Sequence, residues 1–171
     1  MTRVLVVYYS RTGTTERVAD EIARRLGADS EALVDSTKRT GLAGYHHCAY
    51  EGWFQRLTKI APLTHSLSRY DLVVVGTPIW CMSLSSPVRT FLRQHRHDLK
   101  RVAFFCSCGG LGGARVVRQM TREAGQEAAA VLVVREADVA REAVGYAIHL
   151  FARDLERLAG IDDGALPSTL P

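Results

Sequence analysis

The sequence predicts an α/β fold, a doubly wound, five-stranded parallel sheet with helices on both faces. Three observations predict it. Four apolar, largely β-branched runs recur without strict alternation: "VLVVYY" (Val4 to Tyr9), "LVVVG" (Leu72 to Gly76), "VAFFC" (Val102 to Cys106) and "AVLVV" (Ala130 to Val134). Continuous apolarity of this kind marks strands covered on both sides. Amphipathic repeats with helical spacing lie between the runs, and each parallel neighbour needs such a crossover. Finally, 171 residues suit one domain with a substantial core of its own.

In chain order, Val4 to Tyr9 is the first strand. Val18, Ala19, Ile22, Ala23 and Leu26 then form one stripe of a helix that Gly27 should stop. "EALVD" (Glu31 to Asp35) is a weaker strand. The stretch Ser36 to Arg69 is ambiguous. A helix with Leu42, Tyr45, Ala49 and Trp53 on one side is one reading of it, opposed by internal glycines and the pair His46–His47. After Leu72 to Gly76, Pro87 stands in the first turn of a helix whose apolar face is Val88, Phe91, Leu92 and His95. Val116, Val117 and Met120 mark the next helix. Val144, Ile148, Phe151, Leu155 and Leu158 give the last one a single face over four turns. No internal repeat or linker divides the chain.

Composition narrows the function class. A hydrophobic fraction of 47% and a charged fraction of 23% are those of an ordinary globular protein. The first ten residues carry no secretory leader pattern, and no apolar run approaches a bilayer span of about 20 residues. Cys48, Cys81, Cys106 and Cys108 lack the paired spacing of a disulfide framework, so a cytoplasmic location is expected and no membrane partner. The net charge of +4 is unevenly spread: Pro87 to Arg122 holds eight basic residues against Asp98 alone. Solvated helix faces account for such a run, or a docking surface for an acidic partner. Nucleic acid is not expected, because no nucleic-acid module is present.

The functional signal is the junction "YYSRTGTTERVADEI" (Tyr8 to Ile22). In a doubly wound sheet, ligands bind beyond the carboxyl ends of the strands. Here Ser10, Thr12, Thr14 and Thr15 offer hydroxyls, Gly13 permits a close turn, and Arg11 adds a charge. The helix start supplies free N–H groups and a partial positive charge. That set suits a phosphate, whereas capping would need only Thr14 or Thr15. Other phosphate loops fail: there is no Gly-x-x-x-x-Gly-Lys, and "CGGLGGAR" does not complete Gly-x-Gly-x-x-Gly.

The stretch "VVYYSRTGTTERVADEI" resembles the flavodoxin signature, and "GTPIWCMSLSSPVRTFL" (Gly76 to Leu92) and "FFCSCGGLGG" (Phe104 to Gly113) are similar to that family's two flavin loops. The resemblance implies a flavodoxin-like sheet in the order 2-1-3-4-5. It implies one FMN-binding domain over residues 1–160; the tail, 161–171, is small, polar and proline-bearing and is expected to be poorly ordered. The implied cofactor is FMN. Ser10, Arg11, Thr12, Gly13, Thr14 and Thr15 would hold its phosphate. Thr77, Pro78, Ile79, Trp80 and Cys81 would pass along the ring. Ser107, Cys108, Gly109 and Gly110 would reach the ring's polar edge through backbone groups. An aromatic wall suits a flat cofactor, and glycines let backbone N–H groups approach it. Tyr8 or Tyr9, Met82, Arg115 and Arg118 are further candidates for an open ring face.

Two functions follow from that resemblance. One is an electron carrier between protein partners; the other is an NAD(P)H-dependent quinone or FMN reductase acting on a small-molecule acceptor. The family's low-potential carriers surround the flavin with acids, yet Gly76 to Ser86 and Phe104 to Gly113 contain none. Those carriers also use a glycine after the loop aromatic, where positive φ is free; Cys81 and Met82 are expected to avoid it. Cys106 and Cys108 read as small buried thiols. His46–His47 and His95-x-His97 lack a third metal ligand at a recognisable spacing, so no metal site and no catalytic side chain is assigned. A homodimer that covers the flavin is left open.

Overall fold

Five strands align in parallel, the second in chain order beside the first, then the third, the fifth and the sixth. The computed structural model describes residues 2–35 and 57–159. The helix read with Leu42, Tyr45, Ala49 and Trp53 on one side, Cys48, the pair His46–His47 and the tail 161–171 lie outside these. Strand β1 (Val4–Tyr8) leads through helix α1 (Thr14–Leu26) to β2 (Asp29–Ala32), and β3 (Leu72–Trp80) follows a single 3-10 turn at Leu67–Arg69. A two-residue strand β4 (Ser83–Leu84) precedes helix α2 (Ser86–His95). Then come β5 (Val102–Cys108), α3 (Gly113–Ala124), β6 (Val131–Arg135), the short α4 (Glu136–Ala140) and α5 (Gly145–Ala159).

Numbered among the parallel strands alone, the order is 2-1-3-4-5, as expected. Register pairs Tyr8 with Gly76 and Pro78 with Ser107, so the carboxyl ends of β1, β3 and β5 come out together. Helices α1 and α5 cover one face through Val18, Ile22, Ile148, Phe151 and Leu155. Helices α2 and α3 cover the other through Val88, Phe91, Val116 and Met120. All five residues of β1 are therefore buried on either side, which is why its sequence does not alternate. Helix α1 ends where Gly27 adopts φ 57°, a conformation glycine reaches without a Cβ penalty.

Three expectations are corrected. Strand β2 runs over Asp29–Ala32 rather than Glu31 to Asp35, and Asp35 instead bridges Ile60. It is an edge strand with mostly exposed residues, so it needs no apolar run. Strand β3 continues four residues past Gly76 to Trp80, because β4 pairs back on it antiparallel, Ile79 with Leu84 and Trp80 with Ser83. Leu158 does not share the buried face of α5; it is 48% exposed, one turn beyond the last core contact at Leu155.

Candidate functional site

Three loops meet at the carboxyl edge of the sheet, and each feeds the N-terminus of a helix. In the first, the Gly13 N–H donates to Ser10 Oγ at 3.1 Å, closing a turn around Arg11 and Thr12. Gly13 itself is the N-cap of α1, at φ 85° and without any side-chain cap. The first helical bond runs from Arg17 N–H to the Gly13 carbonyl, leaving the N–H groups of Thr14, Thr15 and Glu16 without intrahelical partners. Neither Thr14 nor Thr15 serves as the cap, so capping does not explain the hydroxyl cluster. Arg11 and Thr12 are exposed, and Ser10, Gly13 and Thr14 partly so. Thr15 is buried, with its Oγ1 2.9 Å from Ser107 Oγ. The loop after β1 is thereby tied to the end of β5.

The second loop corrects the expectation about Cys81 and Met82. Both adopt positive φ, 46° and 57°. Two residues connect β3 to β4, and the two-residue turns that match strand twist are types I′ and II′, of which type I′ takes positive φ at both positions, as here. The hairpin geometry therefore overrides side-chain preference, at a cost of roughly 1–2 kcal/mol per residue. Cys81 is an exposed free thiol, and Met82 is 45% exposed. Trp80 sits behind them in the core, edge-on to Tyr9 with ring centroids 5.5 Å apart. Pro78 is buried and Ile79 partly exposed, so Ile79 and Met82 carry the accessible apolar surface of this loop. Thr77 is buried too, donating to the Pro78 carbonyl and pairing with Ser85 Oγ at 2.8 Å.

In the third loop, Ser107 and Cys108 still belong to β5 and are buried, while Gly109 and Gly110 are exposed. Gly112 caps α3 at φ 97°, again without a side-chain cap. A Cβ there would lie 3.0 Å from Met82 Cα, so the second and third loops touch at this glycine. Three helix starts without side-chain caps thus converge where β1, β3 and β5 end.

Charge at the site is asymmetric. Arg115 and Arg118 are exposed on α3. On the α1 side stands Glu16, whose carboxylate accepts from Tyr8 Oη at 3.4 Å. Burial, reinforced by Glu16 and Asp20, pushes the Tyr8 phenol up to about 12. Tyr8 is therefore a neutral donor inside the α1 face rather than a surface on the loops. Cys106 is likewise a buried neutral thiol, pushed up to about 12 by desolvation and then by Cys108. Among the described residues no group of three His, Cys, Asp or Glu side chains comes together as a metal site. His95 Nδ1 instead lies 3.1 Å from Asp98.

A groove of about 830 Å³ lies elsewhere, between residues 60–68 and the end of α2 at His95 and His97. We place the functional site at the loops regardless, because they combine open backbone donors, hydroxyls and glycines at a strand-end crevice. Sequence reasoning missed the β4 strand, the Tyr8–Glu16 contact and the Thr15–Ser107 and Thr77–Ser85 pairs. The serines of "SLSSP" before Pro87 were the available signal for the last of these.

These features define a doubly wound α/β domain with an open crevice at the carboxyl ends of its strands. The particular family follows from comparison: the model of the flavodoxin domain matches residues 46–144, and the chain belongs to that family. It is similar to the NAD(P)H dehydrogenase (quinone) of Gluconacetobacter diazotrophicus, 31% identical over 133 residues, covering 74% of this chain and 61% of that protein. It is 33% identical over 129 residues to the protein of the same name from Paraburkholderia phymatum, covering 74% and 61%. The chain spans about three fifths of the length of these curated relatives. In fold it resembles a Lactobacillus acidophilus flavoprotein solved in complex with FMN, at TM-score 0.68 and 20% identity, covering 82% of this chain and 98% of that one. It also resembles Megasphaera elsdenii flavodoxin, at TM-score 0.53 and 21% identity, covering 85% and 98%. No described helix is long and apolar enough to cross a membrane.

Proposed function

We propose that the chain binds FMN across its three loops and works as a redox protein. The observation that carries this reading is the start of α1: a left-handed Gly13 cap, no side-chain cap, and hydroxyls on either side. Ser10, Thr12 and Thr14, with the N–H groups of the first turn, would hold the phosphate, and Arg11 would add charge. Thr15 would act through its bond to Ser107, fixing the loop. Ile79, Met82 and Cys81 would border the ring, with Trp80 buttressing them from the core. Gly109 and Gly110 are exposed and leave open space where a Cβ would project, so their backbone groups can approach a ring edge.

Bound FMN supplies electron transfer, singly or in pairs; the chain supplies grip, orientation and field. The carrier role stands first. One of two objections to it was the expected avoidance of positive φ after Trp80, and Cys81 and Met82 adopt it. The loops present no assigned nicotinamide site and no proton donor to a substrate. The other objection stands: the second and third loops carry no acid, and exposed Arg115 and Arg118 follow on α3, so their field would stabilise reduced flavin and raise its potential. A second reading, an NAD(P)H-dependent quinone reductase, is favoured by the names of the relatives. A visible spectrum with added FMN tests the shared claim: a protein that stays colourless after desalting has no such site. Anaerobic mixing with NADH or NADPH plus a quinone separates the two roles. No nicotinamide oxidation, together with electron delivery to cytochrome c from dithionite-reduced protein, is the carrier's result; rapid nicotinamide oxidation is the reductase's.

A further inference from the structure

A charged cluster is buried directly behind the hairpin that borders the site. Arg89, on the first turn of α2, is 1% exposed. Its Nη1 donates to Glu123 Oε1 at 2.7 Å, and its Nη2 donates to Gln119 Oε1 at 3.1 Å and Ser83 Oγ at 3.3 Å. Gln119 Oε1 also accepts from the Leu84 N–H at 2.9 Å and from Ser83 Oγ at 3.2 Å. Three donors on one atom fix it as the amide oxygen. From the surface side, Arg93 Nε donates to Glu123 Oε2 at 2.9 Å. Arg89 Nε has no hydrogen-bond partner among the described residues.

Core stability does not account for this cluster. Buried ion pairs of similar volume are often replaceable by apolar residues without loss, and an unpartnered buried N–H adds a penalty. Specifying one geometry does account for it. The turn at Cys81–Met82 holds two non-glycine residues at positive φ. Strain of that sort persists only where its surroundings over-determine it. Strand β4 pairs with β3 through only two residue pairs, too few to hold a strained turn alone. The cluster adds what the ladder lacks, because Gln119 grips both residues of β4 and Arg89 locks Gln119 and Ser83 to Glu123 on α3.

We propose that Arg89 and Gln119 are positioning residues that hold the β3–β4 hairpin at the edge of the cofactor cleft, and so set how tightly the flavin ring, as distinct from its phosphate, is held. The second clause rests on the FMN reading. The first stands without it. The fork of an arginine is required, since a lysine cannot reach Glu123, Gln119 and Ser83 together.

Hydrogen exchange on the full chain without ligand tests the first clause. In Gln119→Leu and in Arg89→Met the Leu84 amide should exchange roughly tenfold faster, the factor one lost buried hydrogen bond carries, while Val74 in central β3 keeps its protection. Gln119→Glu retains the acceptor and should keep the Leu84 amide slow; Arg89→Lys should not. An unchanged Leu84 rate in Gln119→Leu overturns the proposal, and that variant carries no charge change, so it serves if Arg89→Met fails to fold. Dissociation constants for FMN and riboflavin test the second clause. Both should rise by a similar factor in Gln119→Leu, leaving their ratio unchanged. A rise for FMN alone would refute it. If the unaltered protein binds neither flavin, the FMN reading fails, and exchange at Leu84 still decides the positioning role.

Discussion

Replacing Gly76 by alanine should be among the most damaging single-methyl additions to this protein. Gly76 lies in the centre of β3, opposite Phe105 of β5. An ideal Cβ at this position would sit 2.0 Å from Phe105 Cζ and 2.3 Å from Cε1. Carbon atoms in contact prefer about 3.5–4.0 Å, so the ring or the strand must move by about 1.5 Å or more. Phe105 is fully buried, so the ring can retreat only by displacing its neighbours in the core. Overpacking of this kind costs about 1–3 kcal/mol and occasionally more, and the upper end applies here. For a domain of this size about 3 kcal/mol corresponds to a fall in Tm of roughly 6–12 °C. The Tyr9 N–H donates to the Gly76 carbonyl, so the disturbance also reaches the first loop. Urea denaturation of Gly76→Ala, with Phe105→Leu as a compensating second change, measures it. A Gly76→Ala protein within about 0.5 kcal/mol of the parent would show that Phe105 does not cover Gly76, and would refute the packing of β3 on β5 that aligns the second and third loops.

Thr12→Ala and Thr14→Ala should each weaken FMN binding by about 1–3 kcal/mol with little change in unfolding, as read by flavin fluorescence; unchanged affinity in both would place the phosphate elsewhere. Trp80→Ala should destabilise the fold by about 3–5 kcal/mol, because the indole is packed in the core against Tyr9, and denaturation would show it. The Tyr8 phenol has a raised folded-state value, so its contribution is complete below the unfolded value near 10 and is lost as pH climbs through about 12. Stability measured from pH 9 to 12 should therefore fall less steeply in Tyr8→Phe than in the parent, and equal slopes would contradict the burial of that hydroxyl.

The central sheet was legible because strands buried on both faces cannot hide their apolar residues: β1, β3 and β5 are found where the apolar runs stand. Strand β6 also follows its run, but as an edge strand it is covered on one face only, with Val131 and Val133 exposed, which corrects the expectation of burial on both sides. Edge strand β2 starts two residues and ends three residues before the expected one, because exposed Asp29 and Ser30 carry no hydrophobic signal. Strand β4 was not legible. Its two residues are too few for a pattern, and Cys81–Met82 lacks the Asn, Asp or Gly that announces a two-residue hairpin. The place of the hydroxyl and glycine cluster at the junction of β1 and α1 was readable, since spacing alone put those residues between a strand and a helix. Arg89 was misassigned by counting: among the basic residues from Pro87 to Arg122 it belonged with a solvated or docking face, yet it is buried against Glu123, one residue beyond that window. Charge counts register composition, whereas burial depends on partners brought in from another helix.

The most direct measurement compares FMN with riboflavin on the unaltered protein by quenching of flavin fluorescence. If the start of α1 grips the phosphoryl end, FMN should bind at least tenfold more tightly than riboflavin, the least that one charge-assisted hydrogen bond provides. Equal affinities, or no quenching by either flavin, would contradict the account.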